Sequence, residues 1–152
     1  MPLLLFVSHA PSANTRQLEQ AALNAIAAHT DEIEVIHKAP GDVTAEDGLR
    51  CDGLLLGTLE NIGYMSGLTK DMFDRCYHHW LDRMEGRPAA IYIRAGHDGT
   101  ATSHALSAIS TGLRWRLVQP PLVLKGAYDT DFEHQIADFA AGFAAGVEQG
   151  IF

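Results

Sequence analysis

Short apolar runs alternate with longer amphipathic segments from one end of this chain to the other. The first pair consists of the apolar run Pro2–Val7 and the stretch Ser12–Ala28. Within that stretch, Leu18, Ala22 and Ile26 fall on one helical stripe. A short apolar run without polar alternation is typical of a strand buried on both faces, which requires helices on both sides of a parallel sheet. The alternation therefore predicts an α/β fold in three layers.

The same pattern predicts five strands, four longer helices, and a loop with one helical turn at Lys38–Leu49. The predicted strands are Pro2–Val7, Glu32–Ile36, Asp52–Leu56, Arg87–Ile93 and Gln119–Leu124. The predicted helices are Ser12–Ala28, Gly67–Met84, Thr100–Trp115 and Asp131–Glu148. Right-handed crossovers favour a five-stranded parallel sheet in the order 2-1-3-4-5. No repeat or linker divides the chain, so we expect a single domain over residues 1–152.

Charge and composition exclude several classes of function. Lys and Arg total 11 against 19 Asp and Glu, a formal charge of −8, which argues against a nucleic-acid partner because phosphate neutralisation needs a basic face. No stretch approaches the roughly 20 apolar residues of a membrane span, and Met1–Val7 lacks the basic flank of a signal peptide. Cys51 and Cys76 are too few for a disulfide framework. The expected compartment is the cytoplasm.

The segment Ser8–Thr15, after the first predicted strand, carries groups suited to an anion. A phosphate placed there meets the free N–H groups and the positive dipole end of a helix. The hydroxyls of Ser8, Ser12 and Thr15 and the amide of Asn14 are further possible donors. A helix that is simply well capped also uses Ser and Asn at these positions, so both interpretations stay open. The segment lacks the signatures of nucleotide triphosphatases and of dinucleotide-binding folds.

Two further glycine-containing loops follow predicted strands three and four. Gly57–Gly67 contains three glycines, which let a backbone approach a flat ligand closely, and Tyr64 offers a ring for stacking. Ala95–Gly99 is a second such loop at the same edge of the sheet. Ligands of open α/β sheets bind where the strand order reverses, here between strands one and three. The three loops therefore predict one cleft.

The stretch Gly57–Gly67, followed by Lys70, Phe73 and Asp74, resembles the second flavin loop of flavodoxin-like proteins. The resemblance is to the branch with NAD(P)H-dependent FMN reductases and NAD(P)H:quinone oxidoreductases, and Ser8–Thr15 resembles its phosphate loop. It implies a flavodoxin-like three-layer sandwich and FMN as cofactor. The implied phosphate-binding residues are Ser8, Ser12, Ala13, Asn14 and Thr15. The implied isoalloxazine-binding residues are Thr58, Leu59, Glu60, Asn61, Gly63, Tyr64, Gly96, His97 and Gly99.

There are two departures from the family pattern. Leu59 stands where these families often place proline, which leaves the loop less rigid. The phosphate loop also lacks the threonine-glycine core of flavodoxins, which weighs against a plain electron carrier. The fifth predicted strand continues to Lys125 without interruption, as in short-chain members.

The resemblance implies a reductase in which NAD(P)H reduces FMN and FMN reduces a quinone or similar small acceptor. No catalytic residue is assigned, because the cofactor performs the redox step. Tyr64 and His97 are candidates for substrate stacking or proton delivery, although His97 also suits a plain polar loop. The alternative is a non-enzymatic flavodoxin-type electron carrier, whose acidic charge would favour basic redox partners. A homodimer is possible by analogy.

Two other possibilities are set aside on sequence grounds. Cys76, His78 and His79 do not share one helix face, so no metal site is expected. A phospho-receiver domain needs acidic residues after strand one and an aspartate at the end of strand three, and those places hold other residues. Lys70 and Asp74 are expected to form a structural i, i+4 pair.

Overall fold

A computed structural model describes all 152 residues and places one sheet between two layers of helices. The strands are β1 (Leu3–Ser8), β2 (Glu34–Lys38), β3 (Gly53–Asn61), β4 (Tyr64–Met65), β5 (Pro88–Ala95), β6 (Arg116–Leu117) and β7 (Leu122–Lys125). The helices are α1 (Ala13–His29), α2 (Ala45–Arg50), α3 (Gly67–Trp80), α4 (Thr100–Gly112) and α5 (Asp131–Gln149). A 3₁₀ turn at Pro40–Asp42 precedes α2. The predicted α/β fold in three layers is confirmed.

The sheet runs in the order β2-β1-β3-β5-β6, and β7 also pairs with β5. All these pairings are parallel, with Leu5 opposite Leu54 and Leu56 opposite Ile91. The order 2-1-3-4-5 therefore describes the main path, with β5 as the predicted fourth strand. The fifth predicted strand, Gln119–Leu124 with its continuation to Lys125, is wrong in its start, because β7 begins only at Leu122 and the short strand β6 lies before the predicted bounds. Pro120 and Pro121 lie between the two pieces and lack the N–H group that a ladder needs.

Strand β1 lies between β2 and β3, and all its residues are buried. Leu4 and Phe6 pack in the cluster that includes residues of α1 and α5, while Leu5 and Val7 pack in the cluster on the side of α3 and α4. Burying each such side chain contributes about 1.5–3 kcal/mol. The carboxyl end of β1, at Ser8, is thereby held in a fixed position between the two helical layers.

Several element boundaries differ from the predicted ones for identifiable reasons. Helix α3 ends at Trp80 rather than Met84, and Asp82 adopts a left-handed conformation with φ of 62°. Helix α4 ends at Gly112 rather than Trp115, with Arg114 left-handed at φ of 58°. The predicted single turn in Lys38–Leu49 is instead a 3₁₀ turn followed by α2, which begins with a capping box between Thr44 and Asp47.

None of the helices is long and apolar enough to cross a membrane. Both cysteines, Cys51 and Cys76, are unpaired and buried.

Candidate functional site

Helix α1 begins with backbone donors that no protein group accepts from. Ser12 is the N-cap, and its Oγ accepts the N–H of Thr15 at 3.2 Å while its own N–H donates to Thr15 Oγ1 at 3.0 Å. The N–H groups of Ala13 and Asn14 occupy the first two helical positions, which have no intrahelical acceptor. No acidic side chain stands in this first turn. The start of α1 is therefore a capped helix end with free donors for an anion.

The hydroxyl of Ser8 is engaged by residues of α1 and β2. Ser8 Oγ contacts the carboxylate of Glu19 and lies 2.9 Å from His37 Nε2. Glu19 Oε2 and His37 Nε2 are themselves 3.2 Å apart. The single proton of Ser8 is thus committed to a carboxylate, since a carboxylate only accepts. Ser8 lies at the predicted phosphate loop, but its hydroxyl is bonded on the side of β2.

His9 connects the loop after β1 to a buried group of hydroxyls beside β3. Its Nδ1 lies 2.9 Å from Ser66 Oγ, which lies 2.9 Å from Thr69 Oγ1. Thr58 Oγ1 completes the group at 2.7 Å from Thr69 Oγ1. Burial lowers the pKa of His9, so its imidazole is neutral at neutral pH. Through His9, these three hydroxyls fix the loop after β1 against the start of α3.

The predicted loop Gly57–Gly67 is largely a β-hairpin, which corrects the loop prediction. Strand β3 continues to Asn61, and β4 returns antiparallel to it, with Asn61 opposite Tyr64. The turn residues Ile62 and Gly63 have φ of 52° and 73°, as in the two-residue hairpin turns with left-handed residues. The strand persists because the short return strand supplies a partner for the residues after Leu59.

Side chains of the hairpin divide into buried anchors and exposed groups. Thr58 and Leu59 are buried, so at these two predicted positions only the backbone is available to a ligand. Glu60 accepts a hydrogen bond from Thr102 Oγ1 at 3.1 Å, which ties the hairpin to α4. Ile62 is fully exposed and Tyr64 is 41% exposed. The tip of the hairpin therefore presents apolar surface to solvent.

The segment Gly96–Gly99 joins β5 to α4 and is exposed except at its last residue. Gly99 is the N-cap of α4 with φ of 69°, and an added Cβ there would lie 2.6 Å from Val123 Cγ1. Asp98 accepts the N–H of Thr100 at 3.0 Å, which lowers the pKa of Asp98. A Cβ added at Gly96 would meet nothing within 4 Å. The backbone of Gly96 thus borders open space.

Arg94 braces the end of β5 from below this loop. Its guanidinium donates to the carbonyl oxygens of Ala95 at 2.7 Å, Leu124 at 3.0 Å and Gly126 at 2.7 Å. It also lies over the ring of Phe132, 5.1 Å from the centroid. The charge of Arg94 is therefore used inside the protein, and it positions the loops after β5 and β7.

The structure brings all three predicted loops to the carboxyl edge of the sheet. The predicted residues whose backbone or side chain is exposed there are Ser12, Ala13, Asn14, Asn61, Gly63, Tyr64, Gly96 and His97. Sequence reasoning missed five contributors, namely Glu19, His37, Ser66, Thr69 and Arg94. Their roles depend on contacts between separate elements, and no spacing between residues along the chain predicts such contacts. Of the five, only Ser66 lies within one of the three predicted loops, Gly57–Gly67.

A cleft of about 520 Å³ lies beside the start of α1, on its β2 side. Its lining includes Ser8, His9, Glu19, His37, Lys38 and Asp42. Lys38 is paired with Asp47 of α2, Nζ to Oδ2 at 2.8 Å. The cleft therefore combines two carboxylates, two imidazoles and one ammonium group within a volume typical of small-molecule sites.

Comparison with solved structures shows the flavodoxin fold. The chain matches a flavodoxin from the domain Archaea with a TM-score of 0.76 at 16% identity, covering 96% of this chain and 99% of that chain. It matches the flavodoxin, WrbA-like protein from Agrobacterium tumefaciens with a TM-score of 0.77 at 12% identity, covering 98% and 99%. It matches the apo form of the NADH:FMN oxidoreductase EmoB with a TM-score of 0.74 at 18% identity, covering 95% and 89%. No family model and no curated relative matches the sequence.

Proposed function

We propose, from the flavodoxin fold of this chain, that it binds FMN and passes electrons from NAD(P)H to a quinone or similar small acceptor. The observation that carries the proposal is the start of α1, where free N–H groups face no acidic side chain in the first turn. This donor set suits a phosphate dianion, which helix N-termini bind through backbone N–H groups and the helix dipole. Two glycine-containing loops stand at the same edge of the sheet.

The residues at that edge fit a phosphate joined to a flat ring. Ala13 and Asn14 offer backbone N–H groups, and the exposed Asn14 side chain adds an amide donor. A Cβ added at Gly63, Gly67 or Gly96 would meet no atom within 4 Å, so these backbones leave room for a close approach. Bound flavin would supply the hydride and electron transfer.

The chain's own contribution is to bind, orient and cover. Backbone groups of Gly63 and Gly96 are available for hydrogen bonds to ring heteroatoms. Tyr64 offers a half-exposed phenol for stacking by a substrate, and the exposed His97 is the candidate for proton delivery. The similarity to a solved NADH:FMN oxidoreductase supports an enzyme rather than a passive carrier. Two buried, unpaired cysteines support the cytoplasm as the proposed compartment.

A second candidate function is a non-enzymatic electron carrier. The formal charge of −8 favours docking to basic redox proteins, and several of the similar solved structures are flavodoxins. The two candidates share the cofactor and differ in whether NAD(P)H reduces it directly. A homodimer that completes the substrate site belongs to the first candidate alone.

The test is to mix the purified protein with FMN, remove the excess by gel filtration and record the visible spectrum. We expect near-stoichiometric retained flavin and bleaching on anaerobic addition of NADPH or NADH. Retained flavin without bleaching by either nucleotide favours the carrier. No retained flavin together with no quenching of FMN fluorescence would overturn the cofactor proposal.

A matched pair of variants on α1 localises the phosphate. Asn14→Ala removes an exposed amide at the helix start, and we expect FMN affinity to fall about tenfold with riboflavin affinity unchanged. Asn24→Ala removes an exposed amide ten residues later on the same helix and is expected to change neither affinity. Equal losses for FMN and riboflavin in Asn14→Ala would place the phosphate elsewhere.

A further inference from the structure

Three side chains from three elements meet beneath the start of α1. Ser8 of β1, Glu19 of α1 and His37 of β2 are mutually within hydrogen-bonding distance. We propose that Glu19 and His37 are positioning residues of the phosphate loop, and that phosphate binding at the start of α1 is coupled to protonation of His37. The inference rests on the proposed FMN site. It adds that His37 takes up a proton when the phosphate of FMN binds.

The protons of the cluster can be assigned from its geometry. Glu19, as a carboxylate, only accepts, and the single proton of Ser8 satisfies it. The remaining lone pairs of Ser8 must then meet a donor, so His37 Nε2 carries a hydrogen. The same Nε2–H also faces Glu19 at 3.2 Å. The ring of His37 is held by stacking on Phe6, with centroids 4.9 Å apart.

The cluster carries one negative charge when His37 is neutral and none when it is protonated. The rise of about 1.5 Å per residue puts Glu19 roughly 9 Å along α1 from Ala13. At that separation a carboxylate opposes an incoming phosphate dianion, and a cationic His37 cancels the opposition. Phosphate binding and proton uptake by His37 therefore promote each other. Histidine is the side chain that changes charge between pH 5 and 8.

Other charged groups face His37 from each neighbouring element. His9 lies in the loop after β1, Asp42 in the 3₁₀ turn, and Lys38 follows His37 on β2. Lys38 is paired with Asp47 of α2, with Nζ 2.8 Å from Oδ2. His9 is the other imidazole of the cleft, and burial lowers its pKa, so the test must separate it from His37.

The phosphate ester itself titrates, with a second pKa near 6. Its effect on FMN affinity is opposite to that of His37, because protonation of the ester removes negative charge from the ligand. Protonation of the ester weakens its binding at low pH in every variant. The informative quantity is therefore the ratio of FMN affinities between wild type and a His37 variant. His37→Gln keeps an N–H donor for Ser8 and Glu19 but cannot become charged.

The experiment measures FMN and riboflavin dissociation constants by fluorescence quenching from pH 5.5 to 8.5 at low salt. We expect wild type and His37→Gln to bind FMN equally at pH 8.5, and wild type to bind about three- to tenfold more tightly at pH 5.5. The ratio should be flat for riboflavin, which lacks the phosphate. In 1 M salt the difference should shrink, since screening acts over about 3 Å.

Three further variants complete the test. Glu19→Gln should bind FMN more tightly than wild type at pH 8.5, because it removes the negative charge that opposes the phosphate. His29→Gln, at the exposed far end of α1, should keep the wild-type profile. His9→Gln should keep the His37-dependent ratio. Circular dichroism confirms that each variant is folded.

The outcomes separate this inference from the proposed function. A flat FMN ratio between wild type and His37→Gln, with FMN still bound, overturns the inference and leaves the cofactor proposal standing. A ratio that also appears with riboflavin shows a structural effect and overturns it as well. Failure of the wild-type protein and of every variant to bind FMN at any pH overturns both.

Discussion

The two ends of the candidate site are built differently. At the start of α1, Ser8, His9 and Ser12 are each hydrogen-bonded to groups from other parts of the chain or to the helix itself. At the ring end, the hairpin tip and the segment before α4 are exposed. Ile62, Gly63 and Gly99 all adopt left-handed conformations. One end is fixed by side chains, and the other is shaped by backbone conformation.

This difference assigns different physical roles to the two ends. A prearranged set of donors binds a phosphate without a cost for ordering the loop, so the α1 end should contribute most of the affinity. An exposed loop with few anchors opens at low free energy and adapts to what it covers. The ring end should therefore respond to the ligand, and its stability should depend on a few identifiable contacts.

The largest expected effect is at Arg94, the main side-chain brace of the ring end. Arg94→Met keeps an apolar stem beside Phe132 but removes the donors to three carbonyl oxygens. Hydrogen bonds to charged groups are worth roughly 1.5–3 kcal/mol, so we expect a loss of about 3 kcal/mol in the free energy of unfolding. Urea denaturation measures it. Arg50→Met, at an exposed position, is the control and should change stability by under about 0.5 kcal/mol.

A loss confined to the control range in Arg94→Met would mean that the ring end is held by its backbone alone. The distinction between the ends would then be sharper than proposed. A loss accompanied by reduced denaturant dependence would instead point to partial unfolding of β7 and α5.

The next effect compares two glycines of one loop. Gly99→Ala forces a side chain into a left-handed position 2.6 Å from Val123 Cγ1, and we expect about 2 kcal/mol of destabilisation. Gly96→Ala meets open space, so its stability should change by less than about 0.5 kcal/mol. If the ring lies against this loop, Gly96→Ala should nevertheless weaken FMN binding. Unchanged FMN affinity in Gly96→Ala would move the ring away from residue 96.

The alternation of apolar and amphipathic segments was enough to predict the fold and the edge where the loops converge. The apolar runs located the main strands, and right-handed crossovers left few sheet orders, but β2 ends at Lys38 and β3 at Asn61, beyond the ends of their runs. Pro120 and Pro121 mark where the last strand can begin, but the length of β7 depends on its pairing with β5. Fold-level features are local and repetitive, and this is why the sequence predicts them.

The chemistry within the loops was less predictable. The hydroxyl of Ser8 stands at the start of a loop that suits a phosphate, yet it donates its hydrogen bond to Glu19. The position of Glu19 follows from the packing of α1 beside β1. The hairpin was hidden by polar residues at Glu60 and Asn61, which suggest a loop. The one local signal for the hairpin was a two-residue turn, Ile62 and Gly63, that ends in glycine. Side-chain partners from different elements have no fixed spacing, so sequence patterns cannot specify them.

A smaller effect is expected at the hairpin tip. Ile62 is β-branched, left-handed and fully exposed, which costs about 1 kcal/mol relative to a residue that tolerates this conformation. Ile62→Asn should therefore raise the free energy of unfolding by about 1 kcal/mol, measured in urea. Ile151→Asn, at an exposed residue with ordinary backbone, is the control and should not stabilise the protein. A destabilised Ile62→Asn would show that the Ile62 side chain packs on the protein.

The smallest effect is the pH dependence of stability at the Lys38–Asp47 pair, where Lys38 lines the cleft beside the start of α1. Burial acts to raise the pKa of Asp47, but hydrogen bonds from Lys38 and Thr44 outweigh it and leave that pKa below its usual value. Because the pKa is depressed in the folded protein, the stabilisation is present above about pH 4 and is lost as the pH falls toward the folded value. Asp47→Asn should cost on the order of 1 kcal/mol at pH 7 and less at pH 3, by urea denaturation. Asp138→Asn, exposed on α5, should show no such difference. Equal losses at both pH values would mean that Asp47 holds β2 to α2 by hydrogen-bond geometry rather than by charge.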